Sequence, residues 1–238
     1  MKNICRNCGS EDVIVKDGKI YCPYCGSSFE IEKKQEVPSQ SEDSSKIDKM
    51  FKKVVSIHAL CGEATKAGTA FFISSKYALT NAHVLFGEDD VKASSIVGKN
   101  YEGNKTYDFE IVDLDMDLDI ALLESKNFSA FNFCVLTELV NNGEEVFAIG
   151  NSKGEGLCVV NGLVSDKNRI VDGIPYIMCS TLVTNGNSGG PLYNSRGFVV
   201  GMISMSTPDV AMMNYALPAK AMNLFLSRVK NNKGIPVF

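Results

Sequence analysis

The segment Thr184–Leu192, with the sequence TNGNSGGPL, is the most informative stretch of the chain. Three glycines surround Ser188 in it, and glycine lets the backbone turn tightly enough to bring N–H groups close to a substrate oxygen. A Gly-x-Ser-x-Gly pattern alone fits an ordinary glycine-rich turn equally well. The residues that could act together with Ser188 therefore decide the interpretation.

A serine nucleophile needs a base within hydrogen-bond reach, and the base is usually a histidine. The sequence contains two histidines. His58 lies in the strand-like run Val54–Leu60, where a structural role is favoured over a catalytic one. His83 lies where the strand-like segment Ala78–Thr80 runs into a short polar turn, which is a typical place for a functional side chain. His83 is the candidate base.

The order of these residues along the chain separates the folds that use such a serine. No histidine follows Ser188, which excludes the order serine, acid, histidine of the α/β-hydrolases. The subtilisin order would need an aspartate before His83, and none lies between residues 49 and 82. The order histidine, aspartate, serine of chymotrypsin-like enzymes fits.

The third catalytic residue should orient the base, and four aspartates alternate along residues 113–119. If that segment is extended, all four share one face, which fits a solvated acidic edge. Asp119 differs from the others because it directly precedes the apolar run Ile120–Leu123, where a carboxylate can be held against an imidazole. Asp119 is therefore the first candidate, and Asp117 is the alternative.

Three motifs, in this order along the chain, resemble those of trypsin-like serine proteases of the HtrA type. The resemblance covers about residues 50–230. It rests on GTAFFI at residues 68–73 with LTNAHV at 79–84, DIALL at 119–123, GNSGGPL at 186–192, GFVVGMI at 197–203 and NYALP at 214–218.

The body of the chain also predicts strands without this resemblance, because short apolar or alternating runs are separated by turn residues from about residue 47 onward. Such a pattern is typical of an antiparallel barrel or sandwich. The predicted strands are Val54–Leu60, Gly68–Ser74, Tyr77–Thr80, Asp108–Leu114, Ile120–Glu124, Glu145–Ile149, Leu157–Ser165, Tyr176–Thr181, Pro191–Tyr193, Gly197–Ser204 and Met212–Ala216.

The resemblance implies an all-β fold of the chymotrypsin type for residues 48–238. Two six-stranded antiparallel barrels are expected, at about residues 48–140 and 141–218, followed by a C-terminal helix at about 218–230. The active site is expected in the cleft between the barrels.

The resemblance also implies roles for individual residues of a serine endopeptidase. Ser188 is the expected nucleophile, His83 the base and then acid, and Asp119 the group that orients the imidazole. The N–H groups of Gly186 and Ser188 are expected to form the oxyanion hole. The expected primary pocket is lined by Leu182, Ile203, Ser204 and Met205. The alternative is a protease fold that binds peptides without cutting them.

The first 31 residues predict a separate zinc ribbon. Cys5 and Cys8 form one C-x2-C pair, Cys22 and Cys25 form another, and 13 residues separate the pairs. Glycine and serine follow each pair, and a segment this short needs a metal in place of a core. We expect one structural Zn²⁺ per chain on these four thiolates. Residues 32–47 are polar and rich in serine, which predicts a flexible linker.

Charge and composition predict the setting and the partners. The net charge is −4, and residues 1–36 carry six basic and six acidic side chains, which argues against nucleic acid as the ribbon's ligand. We therefore expect a protein or peptide substrate for the protease and a protein partner for the ribbon. The oligomeric state is not predicted. The N-terminus resembles no secretory leader and the thiols are scattered, so the chain is predicted to be cytoplasmic and free of membrane. Because the sequence given ends at Phe238, we do not expect within it the PDZ domain usual in HtrA proteins.

Overall fold

The computed structural model describes five stretches of the chain, which divides into two units, residues 1–43 and 44–238. The described residues are 7, 10–16, 19–30, 40–206 and 213–235. Two of the predicted zinc ligands, Cys5 and Cys8, lie outside them.

The described part of the first unit is a small antiparallel sheet of three strands, in the order β1-β2-β3. Strands β1 (Ile14–Lys16) and β2 (Lys19–Tyr21) pair in antiparallel fashion, with Val15 opposite Ile20. The third strand, β3 (Ser28–Glu30), follows the second cysteine pair and places Phe29 opposite Ile20. Each strand has three residues, so this sheet buries too little apolar surface to be stable by itself.

Helix α1 (Gln40–Phe51) begins inside the segment that was predicted to be a flexible linker. The linker prediction is therefore wrong for residues 40–47, and residues 31–39 lie outside the described part of the chain. The cause is the spacing of Ile47, Met50 and Phe51, which puts three apolar side chains on one helix face. Met50 and Phe51 are buried in the core of the second unit, and Ile47 packs against that core.

The first part of the second unit is a closed antiparallel barrel with the strand order β4-β5-β6-β9-β8-β7. Its interior is packed mainly with aliphatic and aromatic side chains such as Ile57, Phe72 and Leu123. Five of the six strands match predicted ones. The strands are β4 (Val54–Cys61), β5 (Ala64–Phe72), β6 (Tyr77–Thr80), β7 (Ser95–Asn100), β8 (Thr106–Asp115) and β9 (Ile120–Ser125).

The following strands form a second closed ring, in the order β10-β11-β12-β15-β14-β13. Its core contains Val146, Ile177, Leu192 and Val200. The strands are β10 (Glu145–Asn151), β11 (Leu157–Val171), β12 (Ile174–Cys179), β13 (Pro191–Asn194), β14 (Val199–Ser206) and β15 (Asn214–Pro218).

The C-terminal helix α2 (Ala219–Lys233) follows β15 directly and buries an apolar face. Met222, Phe225, Leu226 and Val229 lie on that face with spacings of three and four residues. Gly234 ends the helix in the left-handed conformation, with φ of 66°. Neither α1 nor α2, the α-helices of the described residues, has the length and hydropathy of a bilayer-spanning segment.

Charged side chains of α2 also bind strand β8 of the first barrel. Arg228 Nη1 lies 2.7 Å from Asp115 Oδ2, and Lys233 Nζ lies 3.8 Å from Asp113 Oδ2. Lys233 also donates to the carbonyl of Val112. The prediction of a solvated acidic edge is thus wrong for Asp113 and Asp115, because the cations that pair with them lie more than a hundred residues away in the sequence.

We expect the Asp115–Arg228 pair to make stability depend on pH. Burial raises the pKa of Asp115, but the Leu118 N–H and the Arg228 guanidinium outweigh it and lower that pKa below its ordinary value. A depressed carboxyl pKa gives stability that is present above the unfolded-state pKa of about 3.9 and is lost as the pH falls through the folded-state value. Because Arg228 is half exposed, Arg228→Gln should cost only about 1 kcal/mol at pH 7. Lys230→Gln, on the exposed face of α2, should cost less.

Urea unfolding at several pH values measures this effect. The difference in unfolding free energy between wild type and Arg228→Gln should shrink as the pH falls toward about 3. A difference that stays constant from pH 7 to pH 3 would show that Arg228 stabilises the fold by packing rather than by charge.

Candidate active site

His83 is held at the end of strand β6 by its apolar neighbours. It lies in a short 3-10 helix, Ala82–Leu85, in which the other three residues are buried. Burial of those side chains fixes the backbone of this turn and leaves the His83 side chain 46% exposed. The imidazole therefore faces solvent from a rigid support.

Asp119 faces His83, and its carboxylate contacts that residue twice. Asp119 Oδ2 lies 2.7 Å from Nδ1 of the imidazole, and Oδ1 accepts a hydrogen bond of 2.9 Å from the His83 backbone N–H. A carboxylate at Nδ1 favours the tautomer that carries its proton there and leaves Nε2 as an acceptor. This geometry favours Asp119 over the alternative, Asp117.

The backbone of Asp119 has an unusual conformation, with φ of 52°. Non-glycine residues seldom adopt the left-handed region, although aspartate tolerates it better than most. Strand β9 begins at the next residue, Ile120, which is fully buried. The conformation turns the carboxylate out of the strand direction at the end of the barrel, where His83 lies.

Ser188 lies in the loop before strand β13, and this loop packs against the segment that leads to His83. The Thr69 N–H donates to the carbonyl of Ser188 at 2.9 Å. Gly189 is so close to the first barrel that a Cβ there would lie 2.2 Å from the Thr69 carbonyl oxygen and 3.1 Å from the Asn81 nitrogen. Within the described residues, the Ser188 hydroxyl makes no hydrogen bond, so it is available to a substrate.

The N–H of Gly186 is directed by the peptide that contains it. The Asn185 carbonyl accepts a 2.7 Å hydrogen bond from the Lys153 N–H. In a trans peptide the C=O and the following N–H point in opposite directions, so this bond turns the Gly186 N–H away from Lys153. Gly186 itself has φ of 94°, and a Cβ there would lie 2.1 Å from the Asn151 carbonyl oxygen. Only glycine fits this position.

The N–H of Ser188 is directed in the same way. The Asn187 carbonyl accepts a 2.9 Å hydrogen bond from the Gly190 N–H, which points the Ser188 N–H to the opposite side. Neither the Gly186 nor the Ser188 N–H has an acceptor among the described residues. Two free and oriented N–H groups beside a serine can together bind a developing oxyanion.

The other histidine lies elsewhere. His58 is in the middle of strand β4, opposite Ala67 on β5 and Val97 on β7. It is partly exposed on the barrel wall, and within the described residues no carboxylate pairs with it. The structural role predicted for His58 fits this position.

Comparison with known proteins identifies the family of this site. A family model described as the trypsin-like peptidase domain matches residues 68–202, which is more than half of the chain and includes His83, Asp119 and Ser188. The chain belongs to the trypsin-like peptidase family. The matched residues lie in the second unit, which therefore contains the trypsin-like peptidase domain.

Two curated serine proteases are similar in sequence to this chain. The serine protease HTRA1 of Xenopus laevis is 30% identical over 177 residues, which cover 70% of this chain and 37% of the relative. A probable periplasmic serine endoprotease, DegP-like, of Pseudomonas putida is 36% identical over 148 residues, covering 60% of this chain and 30% of the relative. The chain thus spans between 30% and 37% of the length of these two relatives.

Among solved structures, the Rv3671c protease of M. tuberculosis in its active form is similar in fold. It has a TM-score of 0.69 and 23% sequence identity, over 77% of this chain and 83% of that chain. The all-β chymotrypsin-like fold with a six-stranded barrel and a C-terminal helix, expected from the sequence, is confirmed.

The predicted cytoplasmic location of this trypsin-like protein is wrong. Relatives from Pseudomonas putida and Halomonas elongata are named periplasmic serine endoproteases. The prediction rested partly on scattered thiols, but such thiols do not report the compartment. Cys61, Cys134 and Cys179 are free thiols buried in three different apolar clusters, as small apolar side chains are.

Sequence reasoning gave Asn81 no role, although it connects several parts of the trypsin-like site. Its side chain is fully buried, and Nδ2 donates both to the Asp119 carbonyl and to the Ser204 hydroxyl, at 2.8 Å each. Ser204 belongs to strand β14 of the second ring, so Asn81 links the aspartate to the other half of the domain. Its position two residues before His83 is the signal that could have drawn attention to it.

The four residues predicted for the specificity pocket have different surroundings. Leu182 is 57% exposed, whereas Ile203 is 2% exposed and packs in the core of the second ring. The contribution of Ile203 to a substrate pocket stays a prediction. The hydroxyl of Ser204 contacts Asn81, and Met205 is partly buried. The segment 207–212 after β14 lies outside the described residues.

Proposed function

We propose that this protein hydrolyses peptide bonds within protein substrates through an acyl-enzyme on Ser188. The observation that carries the proposal is the double contact between Asp119 and His83, with 2.7 Å from Oδ2 to Nδ1 and 2.9 Å from Oδ1 to the backbone nitrogen. A carboxylate that fixes both the ring and the backbone of a histidine prepares Nε2 to take a proton.

Each residue then has a defined part in the reaction. Ser188 Oγ attacks the scissile carbonyl carbon while its proton passes to Nε2 of His83. His83 returns that proton to the leaving amine, and the C–N bond breaks. A water then attacks the acyl-enzyme, again losing its proton to His83, and this releases the new carboxylate and regenerates the Ser188 hydroxyl. Asp119 stays ionised and stabilises the imidazolium.

The free N–H groups of Gly186 and Ser188 support an oxyanion hole. They are aimed by the anchored carbonyls of Asn185 and Asn187, so they need no reorganisation when the tetrahedral intermediate forms. One such donor contributes about 2.7–4 kcal/mol to transition-state stabilisation. Mapping of new protein N-termini in cells that contain wild-type or Ser188→Ala protein tests the proposed activity and identifies its substrates. Identical sets of N-termini would refute it.

We also propose that the first unit binds one structural Zn²⁺ through Cys5, Cys8, Cys22 and Cys25. The described residues fit such a site. Cys22 and Cys25 lie on a tight turn closed by a 3.0 Å hydrogen bond from the Gly26 N–H to the Cys22 carbonyl, with Gly26 at φ of 71°. The bound metal would replace the missing core of this small sheet.

A second contact supports convergence of the two cysteine pairs. Asn7, which lies between Cys5 and Cys8 in the sequence, directs its Nδ2 to Cys25 Sγ at 3.8 Å and to Ser27 Oγ at 3.1 Å. These contacts place Asn7, the residue before Cys8 in the sequence, next to the second pair. Four cysteine thiolates are a ligand set that Zn²⁺ prefers in closed tetrahedral structural sites, which supports the proposal.

We further propose that the zinc ribbon recruits protein substrates or a protein partner. Its described surface exposes several large apolar side chains, and the neutral balance of charge in residues 1–36 favours protein over nucleic acid. A tethered binding unit raises the local concentration of substrate without altering the catalytic site. The exposed side chains are Ile14, Val15, Tyr21 and Tyr24.

The double variant Cys22→Ser/Cys25→Ser tests both ribbon proposals together. We expect wild type to contain one zinc per chain and the variant to contain none, because two of four ligands are lost. Hydrolysis of a short peptide should stay within about threefold of wild type, whereas cleavage of a protein substrate should fall further. Metal analysis and the two assays measure this.

Cys61→Ser, which removes a thiol outside the ribbon, is the matched control and should keep its zinc. Freshly purified, reduced wild type without zinc would contradict the metal site. Equal losses of short-peptide and protein cleavage in the double variant would contradict recruitment.

A further inference from the structure

Thr69, on strand β5 of the first barrel, is fully buried and makes hydrogen bonds with its backbone and its side chain. Its hydroxyl accepts from the Asn151 N–H at 2.9 Å and donates to the Gly186 carbonyl at 2.7 Å. Its N–H donates to the Ser188 carbonyl at 2.9 Å, and its carbonyl accepts from the Thr80 hydroxyl at 2.7 Å. The single hydroxyl proton is thus committed to Gly186.

The two carbonyls that Thr69 holds belong to Gly186 and Ser188, the residues whose N–H groups have no acceptor in the described part of the chain. The carbonyls of Asn185 and Asn187, which alternate with them, are held from within the second ring by Lys153 and Gly190. All four carbonyls of residues 185–188 are therefore anchored, and Thr69 supplies both anchors that come from the other barrel.

We propose that the Thr69 hydroxyl is a positioning group for the oxyanion hole, an inference that rests on the proposed endopeptidase function. Through Gly186 it fixes the loop in the conformation that aims the Gly186 and Ser188 N–H groups. Through Asn151 it fixes the strand end whose carbonyl lies against Gly186. It touches neither substrate nor reacting atoms, and it acts by keeping the two donors aligned.

This role predicts a specific kinetic pattern. Loss of the hydroxyl should weaken transition-state binding and leave ground-state binding of the peptide nearly unchanged, because the oxyanion forms only in the reaction. A purely structural hydroxyl would instead lower stability without changing the turnover of the folded fraction.

Four variants of the full chain test the proposal. Thr69→Val keeps the shape of the side chain and removes the hydroxyl, Thr69→Ala leaves room for a bridging water, and Thr69→Ser keeps the hydroxyl. Ser125→Ala is the matched control, since the buried Ser125 hydroxyl also donates to a backbone carbonyl, that of Phe128 at 2.7 Å, at the end of β9 remote from Asp119. The readouts are kcat, KM, thermal unfolding, and inhibition by a peptidyl boronic acid, whose tetrahedral adduct places an oxygen in the oxyanion hole.

We expect Thr69→Val to lower kcat by about 30-fold and to leave KM within threefold of the wild-type value. The loss in kcat should be smaller than the loss from deleting an oxyanion-hole donor outright. Boronic acid affinity should fall by a similar factor. Thr69→Ser and Ser125→Ala should stay within threefold of wild type in kcat and in boronic acid affinity. If Thr69→Val does not fold, Thr69→Ala should show the same pattern with a smaller loss.

Two results would overturn the role of Thr69 alone. The first is an active wild type together with a Thr69→Val variant whose kcat and boronic acid affinity are within threefold of the wild-type values. If Thr69→Val does not fold, the same result for Thr69→Ala counts in its place. The other is a Thr69→Ser variant as impaired as Thr69→Val. A wild type whose turnover is unaffected by Ser188→Ala would overturn the endopeptidase function and the positioning role together.

Discussion

Ser188→Ala is expected to abolish peptide hydrolysis, with a loss in kcat on the order of 10⁶. Alanine removes the only atom that can form the acyl-enzyme, while the anchored loop around it keeps its backbone contacts. His83→Ala should cause a loss of the same order, since an unassisted hydroxyl is a poor nucleophile. Because the two residues act as one unit, the double variant should be no worse than either single variant. Turnover of a fluorogenic peptide measures this.

His58→Ala is the matched control, because it removes the other histidine of the chain from the wall of the first barrel. It should keep wild-type turnover. Substantial hydrolysis by Ser188→Ala would show that another residue, or another protein in the preparation, carries the activity.

Asp119→Asn is expected to lower kcat by about 10⁴ while leaving the fold intact. The asparagine has the same shape, but its amide presents either a donor or an uncharged acceptor to Nδ1. The imidazole then loses the carboxylate that fixes its tautomer and stabilises its protonated form. Circular dichroism and thermal unfolding check the fold, and steady-state kinetics measure the loss.

Asp117→Asn and Asp113→Asn are the controls, since both carboxylates lie in the same acidic segment and neither contacts His83 in the described structure. They should remain within a few-fold of wild type in kcat. Asp117→Asn with the large loss, and Asp119→Asn without it, would show that the aspartate is misassigned.

The strands could be predicted wherever apolar residues form a run or alternate, as in β4, β6 and β9. Strand β7 (Ser95–Asn100) is not predicted, because its apolar run is only the pair Ile96–Val97, which Gly98 ends. In the structure the ring of Phe109 fills the space beside Gly98, and a Cβ there would lie 2.6 Å from Phe109 Cε2. That packing joins residues on different strands, so the local pattern contains no sign of it.

Helix α1 shows the same limit for a segment of polar composition. The serine-rich sequence before Ile47 favours a linker, and only Ile47, Met50 and Phe51 supply an apolar face. Isolated helices of this length are marginal, so burial of that face stabilises it. Burial depends on strands far along the chain.

Some residues of the candidate site could be predicted from the sequence, whereas others could not. His83, Asp119 and Ser188 could be predicted because each lies in a local motif and their order along the chain is informative. The parts assigned to Thr69 and Asn81 could not, since they arise only from contacts across the domain. Thr69 contacts Gly186 across 117 residues, and Asn81 contacts Ser204 across 123 residues.

Covalent labelling with a fluorophosphonate, followed by peptide mass spectrometry, tests the central claim most directly. It asks whether Ser188 is a nucleophile activated by His83. We expect one adduct per chain, located on Ser188, formed at wild-type rate in His58→Ala and lost in both Ser188→Ala and His83→Ala. An adduct on another residue, or equal labelling of wild type and Ser188→Ala, would contradict the account.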